Sequence, residues 1–486
     1  MKIDKLMDRI EYKVLQKGLE EEVTSLVYDS RKVTPGACFA CESGLVFDGT
    51  TFLNMAREKG AVLAVMEKEP EQWPEGLTML LVADVRLAMA QMAANFYCQA
   101  LEGVQLIGMT GTNGKTTTST LMHHVFMDNE LPCGLIGTNE NRIGNERRSA
   151  THTTPYPFDL YPLFDEMKQA GMQKVVMEVS SHALDQHRVE NVKYQIGMFT
   201  NLSQDHLDYH QTMEAYLQAK CKLFYQSEIG LINGDDEAAE TILKTKACPF
   251  VTFGLAPERD YRAENVEMDG NGLSYDWYYK EEKLGRIQYP VPGKFNVYNT
   301  LAAASACHLA GVPAEKIVES MDVQVALVPG RFQMFRGEDG VTAIVDYAHT
   351  PDGLAKVLET AAEFAKGRII TVFGCGGDRD PIKRPIMGEI GVRLSDVAII
   401  TSDNPRSEDP MAIIGDILKG IAPDAKNCEV VENRVKAIHH AMDIAKKDDI
   451  IVLAGKGHET YQEICGVKHH LDEREVVAQY LQETRE

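Results

Sequence analysis

The sequence predicts an α/β protein of several domains, and three observations carry that reading. Short apolar runs of buried-strand character alternate with longer amphipathic stretches over most of the chain, as in parallel sheets joined by helical crossovers. One such run, "VQLIGMT", breaks into a glycine-rich loop that opens a helix, "GMTGTNGKTTT" at 108–118. At 486 residues the chain is too long for one core, so about two to four domains are expected.

Residues 1 to about 98 offer the short strand candidates "SLVYDSRKV", "ACFACESG", "AVLAVME" and "TMLLVADV", then the helical "RLAMAQMAANFYCQA"; this predicts a small α+β domain. From "VQLIG" the texture changes. "CGLIGT", "KVVMEVSS", "QIGMFTNLS" and "IGLINGDD" each follow an amphipathic stretch, which predicts a mostly parallel sheet flanked by helices. After "VPGR" at 328–331 a third series begins with "TAIVDYAHTP", "RIITVFGCGGDRD", "DVAIITSDNPR" and "DIIVLAGKGHE". Each run ends in a polar loop bearing Gly or Pro. Open α/β sheets bind ligands outside the carboxyl ends of their strands, so these four loops concentrate a candidate site.

With 44% hydrophobic and 25% charged residues, the composition is that of a soluble globular protein. No apolar run approaches the roughly 20 residues that span a bilayer. The start, "MKIDKLMDRIEYKVLQKG", lacks a secretory core and cleavage site, so a cytoplasmic, non-membrane protein is expected. The ten cysteines are scattered singly apart from Cys38 and Cys41, which argues for reduced thiols. A formal charge of −22 opposes binding to nucleic acid and requires a focused cationic site for any anionic substrate.

In the loop, backbone N–H groups from Gly111, Thr112, Asn113 and Gly114 through Thr117 can cradle phosphates, Lys115 can reach the terminal ones, and the Thr116 hydroxyl can meet Mg²⁺. The strict phosphate-loop spacing is not met, because Met109 stands at the first glycine position and Gly108 lies one residue early. Glu178 ends the strand candidate "KVVMEVSSH", where such enzymes place a metal-holding acid. "SQDHLDYH" adds Asp205, His206, Asp208 and His210; His206 and His210 would share a helical face, as zinc ligands can. Without nearby cysteines and beside a nucleotide site, Mg²⁺ is the better match. Lys220 in "YLQAKCKLFYQ" reads on pattern alone as an exposed helix lysine.

"GTNGKTTT", "MEVSSH", "NLSQDHLDYH", "GKFNVYN", "GRFQ", "DYAHTP", "FGCGGDRD", "DNPR" and "GKGHE", in this order, resemble the Mur ligases of peptidoglycan synthesis. The resemblance covers nearly the whole chain and implies three domains: a UDP-binding one at 1–98, a central P-loop ATPase-type one at 99–328 and a Rossmann-like amino-acid-binding one at 329–486. It implies phosphoryl transfer from ATP to the D-glutamate carboxylate of UDP-N-acetylmuramoyl-L-alanyl-D-glutamate. An amine then attacks the acyl phosphate and phosphate leaves; the protein is expected to be a monomer. By the same resemblance Glu178, His206 and Lys220, the last as a CO₂-derived carbamate, serve a second metal. Asn296, Asn299, Arg331, Asp346 and His349 match the ATP side; Tyr28, Ser30, Thr153, Thr154, Ser180, Gln186 and Arg188 match the UDP-sugar peptide side. In "SGLVFDG", Leu45 and Val46 replace a polar pair seen in some relatives.

The incoming amino acid is expected to meet Arg384, Asp403, Asn404, Pro405, Arg406, Gly455 and Glu459. "DNPR" resembles the form that adds meso-diaminopimelate. That substrate differs from L-lysine by one distal carboxylate, which an arginine fork binds bidentately. A lysine-adding ligase, a folylpolyglutamate synthase-like ligase and a nucleotide-driven switch remain as alternatives.

Overall fold

A computed structural model describes residues 1–42, 48–321 and 328–483; Leu45 and Val46 lie outside them. The fold is α/β, with three main sheets of five, eleven and six strands. In the first, Ser25–Val27, Ala37–Ala40, Leu63–Met66 and Thr78–Val82 run parallel, and Tyr12–Gln16 closes the far edge antiparallel. The helix Val85–Phe96 starts at Asp84, whose side chain accepts from Leu87 N–H. Its buried Val85, Ala88, Met89, Met92 and Ala93 recur at helical spacing and pack toward the helix Pro157–Gln169, seating the N-terminal sheet on the central one.

In the central sheet, Gln105–Thr110 lies between Tyr194–Phe199 and Lys174–Glu178, all parallel. The strand order therefore reverses at the strand feeding the glycine-rich loop, which opens a crevice at its carboxyl end. Past Phe250–Gly254 the sheet continues as a meander of Tyr261–Asp269, Gly272–Tyr279 and Glu282–Tyr289. No continuous apolar run marks this meander in the sequence. One face buries Tyr261, Tyr275, Trp277 and Ile287 against the central core while the other stays polar, so its signal is a two-residue alternation.

In the third sheet, Thr342–Asp346, Ile450–Ala454, Ile369–Phe373 and Val397–Ile400 are consecutive parallel neighbours. Asp346 and Phe373 both pair with Ala454, and Phe373 pairs with Ile400, so the four polar loops emerge side by side. A continuous apolar core links this sheet to the central one. No described helix is long and apolar enough to cross a membrane.

Candidate active site

Gly114 caps the helix Lys115–Asp128 with φ +86°, a left-handed conformation that costs any other residue strain. A Cβ there would also collide with Asn299 Oδ1. Gly114→Ala is therefore expected to raise the KM for ATP at least about tenfold, measured by steady-state phosphate release. The loop is strapped to the end of the neighbouring strand: Thr112 N–H donates to Asn201 O (2.8 Å), Asn113 N–H to Asn201 Oδ1 (2.9 Å) and Thr200 Oγ1 to Asn113 O (2.7 Å). Lys115 Nζ donates to Gly111 O and Thr112 O, each at 2.9 Å. Burial lowers its pKa, against the pull of Glu178 and Asp205. Thr117 is buried in the first turn. Beside the loop, Asn299 donates to Asn296 Oδ1 (3.2 Å) and Asn296 to Pro292 O (2.9 Å).

Glu178 ends its strand fully buried and accepts from Thr138 Oγ1 (2.8 Å), Thr138 N–H (3.2 Å) and Thr116 Oγ1 (3.2 Å). This places a carboxylate and the loop hydroxyl together, an all-oxygen pair suited to a hard cation. Among the described residues no group of three or more His, Cys, Asp or Glu converges as a metal cage. His210 instead bonds Ser181 Oγ (3.0 Å), and the His182 ring stands near both His206 (4.8 Å) and His210 (5.4 Å). His206 Nε2 lies 3.4 Å from Asp205 Oδ2. Desolvation keeps its imidazole neutral; Asp205 opposes this, and His182, Lys220 and Lys115 reinforce it.

Lys220 corrects the exposed-lysine reading. The helix Met213–Cys221 turns Tyr216 and Lys220, one turn apart, toward the interior. Lys220 is 1% exposed, with Nζ 4.2 Å from the centre of the Tyr216 ring. It makes no hydrogen bond or ion pair among the described residues. Burial, then the charge of Lys115, takes its pKa far below the usual lysine value.

The third sheet supplies the opposite wall. Arg331 Nη2 donates to Thr116 Oγ1 (3.2 Å), and its guanidinium lies 4.5 Å from the centre of the Tyr347 ring. Asp346 accepts from Phe332 N–H (2.6 Å), and burial pushes its pKa up to about 6 despite Arg331. His349, bonded through Nδ1 to Tyr347 O (2.7 Å), is kept neutral by burial and then by Lys383. Asn113 Nδ2 reaches across to Asp352 Oδ2 (2.9 Å). Between the walls lies a cavity of about 620 Å³, lined by Lys115, Glu178, Asn296, Asn299, Arg331 and His349 among others. That volume suits a nucleotide-sized ligand.

On the other side of Glu178, Thr154 Oγ1 donates to Glu178 O (2.9 Å) and accepts from Ser180 N–H (2.9 Å), while Thr153 Oγ1 pairs with Thr138 Oγ1 (3.0 Å). Arg188 donates to Thr154 O (2.9 Å) and Gln186 Oε1 (2.7 Å), with its guanidinium 3.9 Å from the Tyr156 ring centre. Tyr28 packs on Tyr156 and bonds Asp159, which continues this strip to the N-terminal sheet. Ser30 is buried in the turn Ser30–Lys32, its carbonyl accepting from Lys59 Nζ (3.2 Å).

The remaining candidates surround the strand ends of the third sheet. Asn404 Nδ2 donates to Glu459 Oε2 (2.8 Å), and the fully buried Lys456 Nζ donates to both Asn404 Oδ1 (3.1 Å) and Glu459 Oε2 (2.8 Å). Pro405 is buried beside them. Gly455 has φ +122°, and a Cβ there would meet Asp403 Oδ2 at 2.7 Å. Arg406 Nη1 donates to Gly377 O (2.6 Å). Arg384 is buried, with Nη1 on Asp416 (2.9 Å) and Nη2 on Glu408 (2.8 Å).

Three residues here are not among the candidates the sequence offers, although Lys456 stands inside "GKGHE". Thr138 and Lys456 follow apolar runs and are legible as strand-end polar groups. Arg434, entirely buried, is not: it donates to Glu473 Oε1 (2.7 Å) and Ala454 O (2.8 Å) and lies 3.6 Å from Asp403 Oδ2, tying two strand ends together. Arg434→Met leaves the buried Glu473 carboxylate without its cation, removes a second cation near Asp403, and is expected to cost about 3–5 kcal/mol in urea unfolding.

The chain belongs to the Mur ligase family. Three family models match in succession: "Mur ligase family, catalytic domain" at 22–97, "Mur ligase middle domain" at 109–307 and "Mur ligase, glutamate ligase domain" at 330–457. UDP-N-acetylmuramoyl-L-alanyl-D-glutamate--2,6-diaminopimelate ligase 1 of Clostridium acetobutylicum is 45% identical, over 99% of this chain and 100% of its own length. The corresponding ligase of Clostridium botulinum is 43% identical over 99% and 100%. A solved structure of a UDP-N-acetylmuramoyl-L-alanyl-D-glutamate--2,6-diaminopimelate ligase aligns with a TM-score of 0.69 at 31% identity, over 100% of this chain and 99% of the other.

Proposed function

We propose that the protein is an ATP-dependent, ADP-forming ligase that joins meso-2,6-diaminopimelate to UDP-N-acetylmuramoyl-L-alanyl-D-glutamate in the cytoplasm, acting as a monomer. The observation that carries this reading is the cavity that brings the phosphate loop, Glu178, Thr153 and Ser180 of the central sheet to face Arg331 and His349 of the third. The relatives that match over their full length carry the same activity in their names.

Carboxylates are poor electrophiles until phosphorylated, and bringing one to ATP sets two anions together. Lys115 and Arg331, on facing walls, supply positive charge where the transferred phosphoryl would pass. Arg188 stands beside Thr154 on the strip proposed for the peptide and would orient the acceptor carboxylate. The Thr116–Glu178 pair fits Mg²⁺, which when bound would neutralise phosphate charge. Lys220, buried, without a hydrogen bond among the described residues and with its pKa lowered by burial and then by Lys115, fits conversion to a carbamate, which would add an oxygen donor. Arg406, Asn404 and Glu459 would hold the incoming amino acid, a zwitterion at each end.

The test is phosphate release with the UDP-dipeptide, ATP and either meso-diaminopimelate or L-lysine. Release requiring both the dipeptide and diaminopimelate supports the reading. A preference for lysine, or release independent of the amino acid, rejects it.

A further inference from the structure

The hairpin Tyr461–Ile464/Val467–His470 stands outside the three main sheets and is fastened to Arg406. Arg406 N–H donates to Glu463 O (3.0 Å), Cys465 N–H donates to Arg406 O (2.7 Å), and Glu463 N–H donates to Asn404 Oδ1 (2.9 Å). These bonds bring the Glu463 carboxylate to 3.8 Å from Arg406 Nε, both side chains being about one-quarter exposed. Lys468, opposite Glu463 in the hairpin, has its ammonium 4.1 Å from the centre of the Tyr461 ring. The ion partner of Glu463 is Arg406.

We propose that Glu463 is a specificity-determining residue that relaxes the preference for diaminopimelate over lysine, an inference that rests on the function proposed above. A bare arginine rejects lysine because binding it leaves the guanidinium without an anion. Glu463 supplies that anion from within the protein, so the penalty for lysine shrinks. The same carboxylate repels the distal carboxylate of diaminopimelate as it approaches Arg406. Both effects push the selectivity ratio the same way.

Glu463→Gln keeps the backbone bonds and removes only the charge. Its ratio of kcat/KM for meso-diaminopimelate to kcat/KM for L-lysine is expected to rise about tenfold, equivalent to about 1.4 kcal/mol. Glu463→Asp, which keeps the charge, is expected to stay within about twofold of the wild-type ratio, and the KM for ATP serves as an internal reference. A ratio that is unchanged or lower in Glu463→Gln overturns the proposal. So does an equal rise in Glu463→Asp, which would make side-chain shape the cause. Wild-type protein that accepts neither amino acid rejects the proposed function itself, and this inference with it.

Discussion

Lys220→Met is expected to lower kcat by on the order of 10²–10³ while the protein stays folded, because methionine fills the same space without an amine. The reason lies in the sign of the charge at that position. As an ammonium, Lys220 would be a desolvated cation beside Lys115, with no hydrogen bond among the described residues. As a carbamate it would be an anion facing Lys115. The pKa direction favours that conversion: burial and the charge of Lys115 raise the neutral fraction of the amine, and only a neutral amine adds CO₂, forming an N–C bond and releasing one proton. The pH dependence has a definite sign. Lowering the pH reprotonates the amine and expels the CO₂, so wild-type activity should fall on incubation in mildly acidic, CO₂-depleted buffer and return with bicarbonate at neutral pH. In Lys220→Ala, which leaves room, acetate or propionate should restore part of the activity. A fully active Lys220→Ala enzyme would show that the buried amine serves packing alone.

The contrast between Lys220 and the phosphate loop shows which parts of the site are legible in sequence. The loop and the four strand-end segments are local patterns in which an apolar run stops at Gly, Pro or a small polar residue, and backbone geometry makes that stop a binding edge. Lys220 sits between Ala219 and Cys221 in a short helix of weak amphipathic character, so which face is buried depends on the strands beneath. Arg434 stands in the first turn of a helix that Asn433 caps and resembles any surface arginine. Its partner Glu473 lies 39 residues downstream, and no local pattern announces the pair. The Glu463–Arg406 contact is of the same kind, since it exists only because a hairpin folds back onto the "DNPR" loop. Side chains placed by chain reversal or by the choice of a buried helix face are decided by tertiary packing.

Arg406→Ala is expected to reduce kcat/KM for meso-diaminopimelate about 10²–10³-fold and to leave the KM for ATP within about twofold, by steady-state kinetics. Arg406 has φ +53°, a strained conformation for a side chain of its size. Alanine has a Cβ too and carries much the same backbone strain, so the loss reports the guanidinium. The expectation is asymmetric between substrates. Lysine, which offers no distal carboxylate, should lose far less, and the variant should discriminate poorly between the two. Truncation also leaves Glu463 without its partner, placing a lone carboxylate where the substrate's own must sit. Part of the Arg406→Ala defect is therefore repulsion, and Arg406→Ala/Glu463→Gln should recover diaminopimelate turnover several-fold over Arg406→Ala alone. A diaminopimelate KM unchanged by Arg406→Ala would place the distal carboxylate elsewhere. Strict additivity in the double variant would mean that the 3.8 Å contact carries no energy.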